Sequence, residues 1–231
     1  MSELFELLSK GGWLMVPIGL ASVLCLAFFV ERIWSLQRPR VLPQQFLEKI
    51  FELLGQQRYL EAQAFCKGNA SPIAAILDAG IRYHGRSRAV IHEEMEAAGR
   101  REVHFLERFL EAIGAIATVA PLLGLLGTVT GMIQVFQRVV QQASTGEIVD
   151  AGGLANGIWE ALITTAAGLA VAIPAYLAYR TIASIVDAYS VEMAEVGNRA
   201  LEYLVDEHER PQALPLADAS HEIQDEAREL K

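Results

Sequence analysis

One acidic side chain, Glu160, lies in a long stretch of the chain that otherwise carries no charge. The nearest charged residues on either side are Asp150 and Arg180. An ionised carboxylate in hydrocarbon is unfavourable unless it is paired or hydrated, so intramembrane acids commonly mark ion pathways. Thr164 shares a helical face with Glu160, and Thr165 lies about 140° further round the helix. Carboxyl and hydroxyl groups in this arrangement could bind water or pass a proton.

Two interpretations of Glu160 follow from its depth in this stretch. At about 1.5 Å per helical residue it lies roughly 9 Å inward from Leu154. From there the side chain can snorkel back to the outer interface beside Asn156 and Trp159. The alternative is a functional acid that faces an interior cavity. No basic residue occurs at membrane depth in the chain, so the carboxyl group must be protonated, hydrated or matched by another chain.

The elements that must position these residues are three long apolar runs. No charged residue occurs between Lys10 and Glu31 or between Glu111 and Arg138, and Glu160 is the one charge in the third run. A bilayer core about 30 Å thick needs about 20 helical residues, and each run is long enough. We therefore predict an all-α, polytopic membrane protein with three transmembrane helices.

A large soluble bundle and a cleaved signal peptide are the alternatives to this prediction. Buried helices of soluble proteins rarely run so far without an exposed polar face. The first run follows an acidic start, with Glu3 and Glu6, and no small-residue cleavage site comes after it. These features argue against a signal peptide.

The distribution of positive charge predicts the orientation, because lysine and arginine mark the cytoplasmic side. Most of the 19 lysine and arginine residues lie between the first and second runs, whereas Lys10 alone precedes the first run and Arg138 alone separates the second from the third. The predicted divisions are a periplasmic N-terminus (1–10), transmembrane helix 1 (11–30), a cytoplasmic helical domain (31–111), transmembrane helix 2 (112–137), a periplasmic loop (138–153), transmembrane helix 3 (154–179), a cytoplasmic helix (180–209) and a mobile cytoplasmic tail (210–231).

The second and third membrane helices are both predicted to continue as long cytoplasmic helices. Apolar residues from Ile91 to Ile113 recur at near-helical spacing, and no breaker separates them from the second run. A second apolar face extends from Ile182 to Tyr203. Such a face needs a partner, which can be the 88–111 helix of the same chain, another subunit, or both.

Small residues and prolines are spaced along the second and third runs so that they form a stripe on each helix. In lipid, small residues let helices approach closely, and hydroxyl groups can bond across the gap. Thr128, Thr164 and Thr165 either satisfy their hydroxyl groups on their own helices or line a narrow polar path. The predicted packing seam comprises Pro121, Gly124, Gly127, Gly131, Gly168 and Pro174.

Composition argues against several other classes of function. The net charge of −9 argues against nucleic acid as a partner. The two cysteines form no disulfide framework, and the five histidines are too scattered for a set of metal ligands. No phosphate-binding, dinucleotide-binding or nucleophile-elbow motif is present. We therefore expect no enzyme activity, no metal and no organic cofactor.

The two hairpin stretches carry a family resemblance. APLLGLLGTVTGM (120–132) and GIWEALITTAAGLAVAIPAY (157–176) resemble the signature stretches of the MotA/TolQ/ExbB proton channel family. The segment 11–38 is similar to the first helix of ExbB-type members, and the resemblance covers most of residues 11–205. The ExbB and TolQ types are the nearest.

The resemblance implies a five-subunit ring in the bacterial inner membrane. The second and third helices would line a pore that holds the single membrane helices of ExbD/TolR-like partners, whose aspartate carries protons. Energy would pass to a TonB/TolA-like protein. The family's pore threonines match Thr128 and Thr165, and its acid matches Glu160. Thr164 is an addition, Thr130 replaces an aromatic residue and Trp159 replaces a small one.

Two other functions remain open at this point. A membrane scaffold without ion flux would use the same seams only to hold a partner's helix. A gliding-type motor subunit of the same family would use them for different work. A secondary transporter is disfavoured, because three helices without an inverted repeat do not form the usual transporter architecture.

Overall fold

The fold is described for residues 12–146 and 150–205 in a computed structural model. Within these ranges every regular element is an α-helix, which confirms the predicted all-α class. The predicted N-terminus (1–10), residues 147–149 of the predicted loop, and residues 206–231, which include the predicted tail, lie outside the described residues. The helices are α1 (Met15–Ser35), α2 (Arg38–Val41), α3 (Gln44–Gly55), α4 (Tyr59–Lys67), α5 (Pro72–Arg82), α6 (Arg88–Leu106), α7 (Leu110–Thr145) and α8 (Ala151–Leu204).

Three of these helices are long and apolar enough to cross a membrane, as predicted. They are α1 with 21 residues, α7 with 36 and α8 with 54. Large apolar side chains such as Leu20, Leu122 and Leu162 stay more than half exposed on them. Exposed apolar bands of this kind face lipid or other membrane helices. The helix α1 continues past residue 30, where the first membrane span is predicted to end, and stops at Ser35.

The predicted continuity between the cytoplasmic helix and the second membrane helix is wrong. α6 and α7 are separate helices, and Phe109 between them has a left-handed backbone with φ 64°. Its ring stacks on Phe28 of α1 at 4.9 Å between ring centroids. The guanidinium group of Arg32, also on α1, lies 5.6 Å from the same ring and donates a hydrogen bond to the carbonyl oxygen of Phe105 at 3.4 Å. These contacts from α1 hold a break that local helix propensity does not predict.

The third membrane helix does continue past residue 179, where its membrane span is predicted to end, without a break. The C-terminal half of α8 packs against α3, α5 and α6 of the same chain. This confirms that the apolar face of its extension has an intrachain partner. The buried residues on this half include Ile182, Val186, Met193, Val196, Ala200, Leu201 and Leu204.

Residues with capping geometry lie at the end of α7 and at the start of α8. Gly146 ends α7 in a left-handed conformation with φ 74°, which glycine adopts without a steric penalty. Asp150 caps α8, because its carboxylate accepts hydrogen bonds from the backbone N–H groups of Gly152 and Gly153 at 2.9 and 3.0 Å. α1 packs against both helices of this hairpin. The start of α1 therefore lies close to the segment that carries Glu160.

Candidate functional site

The backbones of α7 and α8 come almost into contact at two glycines. A Cβ atom at Gly168 would lie 2.6 Å from the carbonyl oxygen of Ala120, and one at Gly124 would lie 3.0 Å from Cα of Thr165. Both distances are shorter than ordinary carbon contacts, so neither position has room for a side chain. Small residues thus set the distance between the two membrane helices.

The contact continues along the hairpin towards its turn. A Cβ atom at Gly131 would lie 2.9 Å from Cβ of Ala161, and one at Gly127 would overlap the side chain of Thr164. Four members of the predicted seam, Gly124, Gly127, Gly131 and Gly168, therefore lie in the observed contact. Pro121 is half-buried, and its neighbour Ala120 occupies the contact instead. Pro174 is exposed.

The three candidate threonines make different hydrogen bonds. The hydroxyl of Thr165 donates across the contact to the carbonyl oxygen of Gly124 at 2.8 Å. The hydroxyl of Thr128 donates to Leu125 of its own helix at 2.7 Å, and that of Thr164 donates to the Glu160 carbonyl oxygen of its own helix at 2.9 Å. Thr164 is buried, with 2% of its surface exposed. The hydroxyl of Thr165 therefore links the two helices, whereas these bonds of Thr128 and Thr164 lie within single helices.

The carboxyl group of Glu160 lies inside the subunit, between α7, α8 and the start of α1. It borders a cavity of about 30 Å³ whose polar lining comes from Thr130, Gln134, Thr164 and Glu160 itself. Its Oε1 atom lies next to Gly12, where a Cβ atom would be only 2.6 Å away. Thr128 and Thr165 do not line this cavity. The structure therefore brings Glu160 and Thr164 together and places the other two threonines elsewhere on the hairpin.

Gln134 and Gly12 are neighbours of Glu160 that the sequence did not reveal. Gln134 is a lone polar residue near the end of an apolar run, which resembles an ordinary interfacial position. Gly12 is the second residue of a glycine pair at the start of the first run, and such a pair is a signal for a turn. That signal predicts a turn but does not predict which side chain the turn meets.

A second polar cluster, also missed, lies at the end of the membrane hairpin opposite its turn. A cavity of about 500 Å³ there is lined by Glu107, Glu111, Thr118, Tyr176 and Tyr179, among others. The ring of Tyr179 packs flat against Gly114, where a Cβ atom would lie 3.2 Å from it. Glutamate and tyrosine side chains from both membrane helices thus surround the predicted inner end of the hairpin.

No set of three or more histidine, cysteine, aspartate or glutamate side chains that could hold a metal ion occurs in residues 12–146 and 150–205. Cys25 and Cys66 are both buried and free. Burial raises the pKa of the Cys66 thiol to about 12, and the carboxylate of Asp78 adds to this effect. A thiol that holds its proton so tightly is a poor metal ligand and a poor nucleophile.

Comparison with known proteins gives a consistent result. The family model described as the MotA/TolQ/ExbB proton channel family matches residues 69–195. This match includes both helices of the hairpin up to the middle of the α8 extension, and also α5 and α6.

Individual relatives cover more of the chain. The Synechocystis sp. protein designated biopolymer transport protein ExbB-like 1 is 33% identical over 189 residues, which span 82% of this chain and 74% of the relative. The Tol-Pal system protein TolQ of Haemophilus influenzae is 38% identical over 175 residues, or 69% of this chain and 66% of that protein. The biopolymer transport protein ExbB of Salmonella typhimurium is 28% identical over 181 residues, with coverages of 68% and 72%.

Proposed function

Since the chain belongs to the MotA/TolQ/ExbB proton channel family, we propose that it is the ring-forming subunit of an inner-membrane motor driven by the proton-motive force. The work is ion transport coupled to movement, without enzyme activity. Its partners are further copies of itself, forming a pentamer, an ExbD/TolR-like protein with a membrane aspartate, and a TonB/TolA-like protein that receives the energy. The outputs of such a motor are outer-membrane transport or envelope maintenance.

The observation that carries this proposal is a tightly packed helical hairpin in which a polar side chain of one helix forms a hydrogen bond with the other helix. The hydroxyl of Thr165 meets the Gly124 carbonyl oxygen at 2.8 Å inside a membrane-spanning contact. A hydroxyl group and a carbonyl oxygen within the hydrocarbon region can form hydrogen bonds with water or with a proton carrier. Aliphatic side chains packed in the same place could not. Exposed apolar bands on α7 and α8 supply surfaces on which further copies and a partner helix can pack.

The proposed orientation puts the N-terminus in the periplasm and the C-terminus in the cytoplasm. It rests on the concentration of lysine and arginine in residues 31–111. The packing of α3, α5 and α6 against the C-terminal half of α8 requires both parts to lie on one side of the membrane, and the positive charge of residues 31–111 favours the cytoplasm as that side. Labelling of single cysteines introduced at Arg138 and Arg180 with a membrane-impermeant maleimide tests the orientation. Labelling from the cytoplasmic side at Arg138 would refute it.

Function is tested by Thr128→Val, Thr165→Val and Glu160→Gln in cells whose growth needs the motor. Valine keeps the shape of threonine without its hydroxyl, so the ring can still assemble. We expect assembly to persist, as seen by native mass spectrometry, while proton-motive-force-dependent activity and proton flux in vesicles fall. Full activity in all three variants would refute the assignment of these residues.

A second candidate function, a membrane scaffold without ion flux, is favoured by a different observation. Thr128 and Thr164 both donate to carbonyl oxygens of their own helices, as threonines in simple packing positions do. In a scaffold the valine variants would retain both assembly and partner binding, and purified rings with the partner would show no proton flux. The same experiments therefore separate the two functions.

A further inference from the structure

Gly12 packs directly against the carboxyl group of Glu160. Its backbone has φ +70°, a conformation that other L-residues rarely adopt, and a Cβ atom there would lie 2.6 Å from Oε1. The conformation therefore favours glycine, and a side chain there would displace the Glu160 carboxyl group. Trp13 and Leu14 follow directly, and both border the same cavity as Glu160. The turn that starts α1 thus forms one wall around the acid.

The cavity beside this turn has the size and chemistry of a water site. Its volume of about 30 Å³ accommodates one or two water molecules. The hydroxyl group of Thr130 donates to the carbonyl oxygen of Leu126 on its own helix at 2.8 Å, so its oxygen can accept a hydrogen bond from water. Gln134 adds an amide that can donate and accept. A water molecule there would have several polar partners besides the carboxyl group.

We propose that Gly12 is a positioning residue that seats the Glu160 carboxyl group in this cavity, where water hydrates it inside the subunit. A carboxyl group at membrane depth without a basic partner is energetically unfavourable, and hydration in this cavity lowers that cost. The inference deepens the proposed function and rests on it, because it puts the hydrated acid between α1 and the hairpin of one subunit. α1 then takes part in ion handling through a backbone contact as well as anchoring the chain.

The proposed position of the Glu160 carboxyl group, which we call its seat, is tested by measuring how fast a water-soluble reagent labels that group. The full-length protein, in vesicles open to reagent on both sides, is treated with a water-soluble carbodiimide and a small amine, and labelled carboxyl groups are quantified by mass spectrometry. Asp150 is the internal reference, because it is exposed and lies at the same end of α8. We expect Glu160 to react many-fold more slowly than Asp150. Equal rates in the unaltered protein would overturn the proposal even if no variant folds.

Gly12→Ala is the matched perturbation. The atom that the new Cβ meets is the far end of a flexible side chain, so the carboxyl group is expected to move while the helices stay in place. Labelling at position 160 should then rise several-fold. Gly19→Ala, in the helix that follows this turn, is the control, because no atom lies within 4 Å of the Cβ that it adds. An unchanged rate in Gly12→Ala, or an equal rise in Gly19→Ala, would overturn the proposal.

A double variant separates the contact from backbone strain. Glu160→Asp shortens the side chain by one methylene group and removes the overlap with a Cβ atom at position 12. We expect Gly12→Ala/Glu160→Asp to label as slowly as Glu160→Asp alone, whereas strain by itself would keep labelling fast in the double variant and contradict the seat. Labelling does not require ion flux. Suppose that labelling gives the expected rates while Glu160→Gln and both threonine variants keep full motor activity. That combination would support the proposed position of the carboxyl group and refute the proposed function.

Discussion

Thr165 donates a hydrogen bond to the backbone carbonyl oxygen of Gly124 across the contact between two membrane helices, at 2.8 Å. Gly124 can offer this oxygen because it has no side chain to keep α8 at a distance: a Cβ atom there would lie 3.0 Å from Cα of Thr165. The close approach and the hydrogen bond therefore depend on each other. The hydrogen bonds that the Thr128 and Thr164 hydroxyl groups donate to Leu125 and Glu160 stay within single helices and are not part of this link.

Thr165→Val should weaken the hairpin, whereas Thr128→Val should not. Interhelical hydrogen bonds in membranes contribute about 0.6 kcal/mol on average and about 1.7 kcal/mol at most. We expect a loss in the free energy of unfolding within that range for Thr165→Val and almost none for Thr128→Val. Unfolding by a denaturing detergent, followed by circular dichroism, measures both. Thr165→Ser keeps a hydroxyl group and should recover most of the loss, and equal losses in the two valine variants would contradict this account.

Gly168→Ala should damage the hairpin more than Gly127→Ala. At Gly168 the added Cβ meets the backbone oxygen of Ala120, which cannot move aside, whereas at Gly127 it meets the side chain of Thr164. Overpacking of this kind costs about 1–3 kcal/mol. We expect both variants to lose stability in the same detergent assay.

Rescue distinguishes these two glycines. Thr164→Ala removes the atoms that obstruct a Cβ at Gly127, so the double variant Gly127→Ala/Thr164→Ala should recover stability. No side-chain truncation can do this for Gly168→Ala. Gly19→Ala, which adds its Cβ in open space, should be close to neutral. Rescue of Gly168→Ala by Thr164→Ala would show that the helices adjust more freely than their contact distances imply.

Arg32→Met should loosen the joint between α6 and α7. The guanidinium group is buried, with 2% of the residue exposed, and it bonds the Phe105 carbonyl oxygen and lies over the Phe109 ring. Methionine keeps the apolar volume but removes both contacts, at a cost of about 1–2 kcal/mol after relief of desolvation is included. Hydrogen–deuterium exchange should accelerate at residues 105–110. Arg40→Met, at an exposed position, is the matched control, and unchanged exchange in Arg32→Met would contradict the prediction.

Cys66 should make stability fall in alkaline solution. Burial raises the pKa of its thiol to about 12 in the folded chain, against about 8.5 in an unfolded chain. The unfolded chain therefore releases this proton first, and the folded state loses stability as pH rises from about 8.5 towards 12. Cys66→Ala lacks this dependence. We expect the denaturation midpoint of the parent protein to fall relative to that of Cys66→Ala as the pH rises. A constant difference between the two midpoints across this range would contradict the prediction.

Alkylation provides a second measurement of the same thiol. In a Cys25→Ser background only Cys66 can react, and the folded protein should react slowly even at mildly alkaline pH. Unfolding should restore the ordinary rate of a free thiol. Fast alkylation of the folded chain would show that Cys66 is accessible.

The sequence predicts the membrane helices well, because length and the absence of charge are local properties of a segment. It also predicts Gly124, Gly131 and Gly168 at the helix contact, because small residues three and four apart share a helical face. The same spacing places Pro121 on the seam, although Ala120 makes the contact. A periodic pattern defines a face only to within about one residue, so such a shift is expected.

Two features could not be predicted from local pattern. The residues around Phe109 are compatible with a helix, and the break exists because Phe28 and Arg32 of a distant segment meet that ring. The seat of Glu160 likewise depends on Gly12, which is almost 150 residues earlier in the chain. Both are long-range contacts made by α1, and the sequence shows α1 only as an apolar span.

Because α8 is long, a small tilt of this helix in the hairpin produces a large displacement at its C-terminal end. The helix is continuous from Ala151 to Leu204, so Leu204 lies about 60 Å along the axis from Thr165 at 1.5 Å per residue. Each degree of tilt about Thr165 would then displace the far end by about 1 Å. Because that end is packed into α3, α5 and α6, a small tilt of α8 within the bilayer would displace these helices by a much larger distance than it displaces Thr165.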